Sequence, residues 1–271
     1  MSNRKRVLIT GAYGLVGNVI YKRLADAPDR YDAYGLVRRR GPSARLPGEQ
    51  IRLIPDDHLF VADLGDPAAV HRATEGMDVV VHMAAEPNGD APWESILANN
   101  IIGAYNVFEA CRLAGVKRLV YASTLQIFMG YMVEATAAFA EGKVPDLKPG
   151  DIPVFTHTSL PRPMNYYGTS KIWGESMAFM YAHKYDMSCL VLRVGMVEAV
   201  EPPPAYPFGI FAWCSQRDIA QIGELCVSAP ESLRFDIFQG LSDNAYNFAD
   251  IQHARDVLGY QPQDGLRLSA P

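Results

Sequence analysis

The stretch Val7-Leu8-Ile9-Thr10-Gly11-Ala12-Tyr13-Gly14-Leu15-Val16-Gly17 constrains this chain more than any other. A run of apolar and β-branched residues enters glycines spaced every third position, and a mainly apolar segment, 15–24, follows at once. That order predicts strand, tight turn and helix. Glycines let backbone N–H groups approach an anion, and a helix N-terminus adds about half a positive charge. The spacing is G-x-x-G-x-x-G, a variant of the dinucleotide fingerprint G-x-G-x-x-G. No Gly-Lys-Ser/Thr follows, which argues against a nucleoside-triphosphate loop. A plain turn between strand and helix would carry the same glycines, so the rest of the chain must decide.

The chain alternates strand and helix signals from 5 to 194. Strands are expected at 31–37, 58–62, 78–83, 118–122 and 188–194. Helices are expected from Asp66-Pro67 onward, over 92–114 and over 166–185. Val79-Val80-Val81 is typical of a strand buried on both faces of a parallel sheet. The pattern predicts an α/β fold with a doubly wound parallel sheet, a Rossmann fold over 1–194, whose ligand lies at the carboxyl ends of the strands. After Gly195 the alternation weakens. A helix at 216–227, a strand at 235–238 and a helix at 251–258 suggest that 195–271 forms a small substrate-covering annex packed on the first domain. A net charge of −5 argues against nucleic-acid or anionic-membrane binding. No apolar run approaches a membrane span or a signal-peptide core. The four cysteines occur singly and the six histidines show no ligand spacing, so a reduced cytoplasmic protein without a metal site is expected.

Three further features carry chemistry. The second strand ends in Val37-Arg38-Arg39-Arg40 with no acid. An acid there would hold a ribose 2′-OH, whereas guanidinium groups match a 2′-phosphate. Arg38 and Arg39 therefore favour NADP, with NAD as the alternative; a solvated basic loop would also fit. Tyr167 and Lys171 stand at i and i+4, on one helix face, where an ammonium can favour phenolate for acid–base work. Chance also places such pairs on many helices. Ser123 and Thr124 end a strand where a hydroxyl would open into the cleft, or where the pair simply forms a turn.

Together these pieces resemble the extended short-chain dehydrogenase/reductase family, the NAD-dependent epimerase/dehydratases, over residues 5–260. Thr10-Gly11-x-x-Gly14-x-x-Gly17 looks like the family's cofactor loop, with Tyr13, Leu15 and Val16 inside it. Asp63-Leu64 is similar to the pair that meets the adenine, and His82-Met83-Ala84-Ala85 to the strand end over the cofactor. Asn100-Ile101-Ile102-Gly103 with Asn106 resembles the N-v-x-G-T-x-N helix. The resemblance implies cofactor contacts from these motifs, including Met83, Ala84, Ala85, Asn100 and Val194. It implies a triad of Thr124, Tyr167 and Lys171. Tyr167 would exchange a proton with the substrate oxygen, Lys171 would lower the Tyr167 pKa and bind the nicotinamide ribose, and Thr124 would orient the substrate. Dimerisation through the two long helices is also implied.

Within the family the pattern is most similar to uronate dehydrogenases. Segments such as Tyr167-Gly168-Thr169-Ser170-Lys171 and Gly240-Leu241-Ser242-Asp243-Asn244 follow it. The departures fall on the substrate side. Gln126 replaces a His, Met196 replaces a Ser, and 199–213 contain no Arg or Lys to clamp a carboxylate. Met129, Met132, Phe208 and Phe211 suggest a less polar pocket, and 129–163 a lid. The expected function is hydride transfer between NADP(H) and a small neutral alcohol, ketone or sugar, with Thr124, Gln126 and Met196 at the substrate. The alternatives are a nucleotide-sugar or sugar epimerase and a catalytically silent dinucleotide sensor.

Overall fold

The computed structural model describes residues 4–46, 50–133, 153–201 and 209–267. Phe208 and most of the expected lid, 134–152, lie outside the described residues.

Seven parallel strands form one sheet in the order β3-β2-β1-β4-β5-β6-β7. They are β1 (Lys5–Thr10), β2 (Tyr31–Val37), β3 (Leu59–Val61), β4 (Val79–His82), β5 (Arg118–Thr124), β6 (Ser188–Val194) and β7 (Phe235–Gly240). The strand order reverses between β1 and β4, which opens a crevice at their carboxyl ends. Alternate side chains of each apolar run point to opposite faces. Val7, Ile9, Val79 and Val81 pack into one core with α1 (Leu15–Ala25). Leu8, Val80, Leu119 and Val191 pack into the other. That second face carries α2 (Pro67–Thr74), α4 (Gly103–Ala114) and α5 (Tyr166–Lys184). The fold class read from the sequence is the one observed.

Local chemistry sets the helix ends. Asp66 caps α2 by accepting from the N–H groups of Ala68 and Ala69, with Pro67 at the first helical position. Gly115 terminates α4 with φ +71°, the left-handed conformation favoured after a helix. The long helix expected over 92–114 is not uniform. α3 (Trp93–Ile96) and α4 are joined by a π-type turn, Leu97–Ile102.

The region after 194 is built into the same layers. β7 pairs with β6 along its whole length, and α6 (Gln216–Ser228) packs against α1. A smaller core of Leu125, Phe128, Phe155, Phe211 and Phe248 lies beside the strand ends. The bridge Phe155–Ala249 ties this region to the segment after β5, and the bridge Met196–Trp213 closes within the region itself. α7 (Gln252–Leu258) follows.

Candidate active site

A cavity of about 720 Å³ runs along the carboxyl ends of the strands. Gly11, Tyr13, Gly14, Leu15, Val16 and Gly17 form one wall. Gly11 has φ +68°, and a Cβ there would stand 2.9 Å from the backbone of Ala84. A Cβ on Gly17 would stand 2.3 Å from the carbonyl of Gly11. Both positions therefore demand glycine. α1 starts at Gly14 with no side-chain cap, so its first N–H groups are not satisfied by a side chain. Thr10 locks the neighbouring strand ends together. Its hydroxyl lies 2.7 Å from His82 Nδ1 and accepts from the Ala84 N–H at 3.1 Å. Burial pushes the His82 pKa down to about 3, so the ring is neutral and structural. Met83, Ala84 and Ala85 continue the wall.

At one end of the cavity stand Arg38, Arg39, Asp63 and Leu64. Asn106 donates to the Leu64 carbonyl at 2.7 Å and holds this corner against α4. Among the described residues neither Arg38 nor Arg39 has a hydrogen-bond or ion-pair partner, whereas Arg40 pairs with Asp56 at the surface. A glycine shelf, an uncapped helix start and open guanidinium groups fit a dinucleotide.

At the other end β5 and β6 finish in register, with Thr124 beside Val194. Thr124, Tyr167, Lys171 and Val194 all line the cavity. Asn165 caps α5 by accepting from the Gly168 N–H at 2.7 Å, which fixes the first turn carrying Tyr167. Thr124 Oγ accepts from the Gln126 N–H at 3.2 Å, and its hydroxyl stands near enough to the Tyr167 phenol to favour the phenolate. Lys171 Nζ donates to the Ala122 carbonyl at 2.9 Å and sits 5.7 Å from the Tyr167 ring centre.

The titration of this pair differs from the sequence expectation. Burial holds the Tyr167 phenol above its ordinary value, against opposing pulls from the Thr124 hydrogen bond and the charge of Arg45. Lys171 is only 3% exposed, and burial brings its ammonium down to about 7. Desolvation acts on both groups, so Lys171 is a weaker cation than an i, i+4 pair on an open helix would contain.

Behind the triad lies a buried polar brace. Ser123 Oγ donates to Glu175 at 2.5 Å, and Arg193 binds the same carboxylate through Nε and Nη2 at 2.9 and 2.8 Å. Arg193 also donates to the His157 carbonyl at 3.2 Å. The brace joins β5, α5 and β6.

Gln126 and Met196 both reach the cavity, as the sequence suggested, and Met129 joins them. Backbone hydrogen bonds to Ala212 and from Cys214 hold Met196 in place. Met132 and Phe211 do not line the cavity; both are fully buried in the smaller core. Asn100, expected at the cofactor, also fails to reach it. Its amide donates to the Glu86 carbonyl and to Ser170 Oγ, each at 3.1 Å, and its oxygen accepts from the Glu86 N–H at 2.7 Å. All of its polar atoms are thus spent on bracing the segment after β4. It lies in the π-type turn, whose wider spacing shifts the phase of the side chains, and Asn99 lines the cavity instead.

The sequence reading missed Ser43 and Arg45. The Ser43 N–H binds the Tyr13 carbonyl at 2.9 Å, and Arg45 reaches the Val197 carbonyl at 3.5 Å, so this loop lies across the cleft. It also missed Glu86 and Phe248 in the lining. A buried Leu46 next to Arg45 was the one local signal that the loop is anchored. Among the described residues no cluster of His, Cys, Asp or Glu could hold a metal ion, and no helix is long and apolar enough to cross a membrane.

Comparison with known proteins agrees with this geometry. The model of the NAD dependent epimerase/dehydratase family matches residues 7–207. NAD-dependent glucose-6-phosphate dehydrogenase of Haloferax volcanii is 36% identical, over 95% of this chain and 93% of the relative. L-arabinose 1-dehydrogenase (NAD(P)(+)) of the same organism is 31% identical over 96% of both chains. The crystal structure of uronate dehydrogenase from Agrobacterium tumefaciens superposes with a TM-score of 0.75 at 28% identity, covering 97% of this chain and 86% of that one. A mutant of the same enzyme has been solved in complex with NAD. With its motifs in place around a single cavity and a family match across most of its length, this chain belongs to the NAD-dependent epimerase/dehydratase family.

Proposed function

We propose that this protein is an NAD(P)-dependent dehydrogenase that oxidises a hydroxyl of a small sugar. The observation that carries the reading is the convergence of Thr124, Tyr167 and Lys171 on the cavity that the glycine turn also walls. Relatives named for NAD- or NAD(P)-linked dehydrogenation of glucose 6-phosphate and L-arabinose support the oxidoreductase and sugar assignments.

A bound nicotinamide would supply the hydride acceptor or donor. Tyr167 takes the proton of the substrate hydroxyl as the C–H bond is broken, and returns it in the reverse direction. Thr124 holds the phenol and offers its oxygen beside the reacting carbon. Lys171 holds the Ala122 end of β5 and would bring a cation to the ribose of a bound dinucleotide; with its ammonium at about 7, that charge is itself pH-dependent. Asp63 and Leu64 line one end of the cavity, where they would meet the adenine, and Gln126, Met129 and Met196 line the other, where they would face the sugar.

The family and the NAD complex of a structural neighbour support use of NAD. A preference for NADP is the finer proposal, supported by the open guanidinium groups of Arg38 and Arg39. The neutral character of the substrate is also a proposal, supported by Met129, Met196, Ala212 and Phe248 in the lining. Arg45 adds a cation that the absence of Lys and Arg from 199–213 did not reveal. Homodimerisation through α4 and α5 belongs to the same proposal, supported by exposed Tyr105, Leu113, Phe179 and Met180.

A screen of aldoses, aldose phosphates and uronates against NAD and NADP, read by nicotinamide absorbance, tests the reading. At least one uncharged aldose is expected to be oxidised. Binding of either dinucleotide without turnover of any sugar, alcohol or ketone would replace this reading with that of a sensor.

A further inference from the structure

The side chain of Gln126 stands two residues after Thr124 and lines the cavity. An amide can face a ligand with either its oxygen or its NH₂, and the two are nearly isosteric. Here the surrounding network decides between them. Asn165 is the N-cap of α5, a helix of 19 residues, and its Oδ1 must accept from the Gly168 N–H. Its other polar atom is therefore the Nδ2 amide, a donor only. That amide lies 3.1 Å from Gln126, so the Gln126 atom facing it is the oxygen. Gly89 leaves the room for this contact: a Cβ there would stand 2.7 Å from Asn165 Nδ2 and 3.3 Å from Gln126 Oε1. With its oxygen directed at Asn165, Gln126 turns its Nε2 hydrogens to the other side, and among the described residues Nε2 has no partner.

We propose that Asn165 is a positioning residue that turns the Gln126 amide NH₂ into the cavity, so that the substrate group beside the reacting carbon is recognised as a hydrogen-bond acceptor. This rests on the reading of the cavity as a sugar dehydrogenase site. An acceptor-only oxygen, such as the ring oxygen of a cyclic aldose, satisfies the site. The same position bearing only a donor does not. The helix cap thereby sets the polarity of a substrate contact that it does not itself touch.

The substitution Asn165→Asp separates capping from polarity. Aspartate caps a helix as well as asparagine does, and Oδ1 can still accept from Gly168. The second oxygen cannot donate to Gln126, whose amide then turns over and shows its oxygen to the cavity. Kinetics would use whichever of L-arabinose, D-glucose 6-phosphate and D-glucuronate the unaltered enzyme oxidises fastest. KM is expected to rise about tenfold, the scale of one hydrogen bond. Melting temperature and dinucleotide affinity should be unchanged. In a Gln126→Met background the same Asn165→Asp change should leave KM unaltered, because no amide remains to turn. An unchanged KM in the single variant, or an equal rise in both backgrounds, overturns the proposal. If none of the sugars is oxidised, the dehydrogenase reading fails separately, and the amide is read without substrate. In protein carrying labelled glutamine, Asn165→Asp should move the Gln126 NH₂ resonances downfield and protect them from exchange; unmoved resonances overturn the orientation.

Discussion

The two ends of the cavity are built on different physical terms. The wall made by Gly11, Gly14, Gly17 and Ala84 is backbone packed on backbone, with no space for a Cβ at Gly11 or Gly17 and with Thr10 and His82 clamping the strands beneath it. The opposite end is made of side chains. Gln126 and Met129 come from the turn after β5, Met196 from the segment after β6, and Phe248 from the segment beyond β7. Gln126, Met196 and Phe248 are set by hydrogen bonds between segments far apart in sequence. A backbone wall tolerates almost no substitution and so binds one kind of ligand. A side-chain wall can be exchanged residue by residue, which is where a family sharing one cofactor would vary its substrates.

The largest effect that would break this contrast is expected at the junction of the two ends. Tyr167→Phe should lower kcat by at least ~100-fold, the contribution usual for general acid–base catalysis. Dinucleotide affinity, measured by fluorescence titration, should hold; near-normal turnover would remove Tyr167 from the reaction. Next comes the backbone wall. Gly17→Ala should cost about 1–3 kcal/mol by urea denaturation, as overpacking does, and dinucleotide binding should fall with it. Full stability in that variant would show that the turn can yield.

A smaller effect concerns pH. The Lys171 ammonium falls from 10.5 to about 7 in the folded protein, so within that window the unfolded chain binds a proton that the native state lacks. Its contribution to stability therefore rises with pH. The gap in unfolding free energy between wild type and Lys171→Met should move in the wild type's favour from pH 7 to pH 10; a pH-independent gap would mean an exposed, ordinary lysine. Smallest is the exposed end of the cavity at Arg38 and Arg39. Arg38→Ala should narrow an NADPH-over-NADH preference by several-fold, in line with a solvent-screened ion pair. Equal affinity for the two in the unaltered protein would end the NADP proposal.

What was legible in the sequence follows the same division. The glycine turn, the valine run of β4 and the Tyr167–Lys171 spacing are local signals, because each requirement is met within one element. Gly11, Tyr13, Gly14, Leu15, Val16 and Gly17 all reach the cavity. Asn100 was misplaced because its role depends on a π-type turn that periodicity does not announce. Arg45 was invisible because its partner, Val197, is 152 residues away. The titration of Tyr167 was misjudged for a related reason: spacing reveals which groups are near, but burial decides which charge is stable. β7 looked like part of an annex because a short strand at a sheet edge carries little pattern of its own.

The Glu175–Arg193 pair has a bearing on how this enzyme could be altered. Removing either partner would strand a buried charge and cost about 3–5 kcal/mol. The pair therefore acts as a keel: while it is intact, β5, α5 and β6 keep their alignment whatever is done to the residues in front of them. Gln126, Met129 and Met196 can then be recombined as a library with Thr124, Tyr167 and Lys171 left in place. Variants from such a library should fail by losing their substrate before they lose their fold.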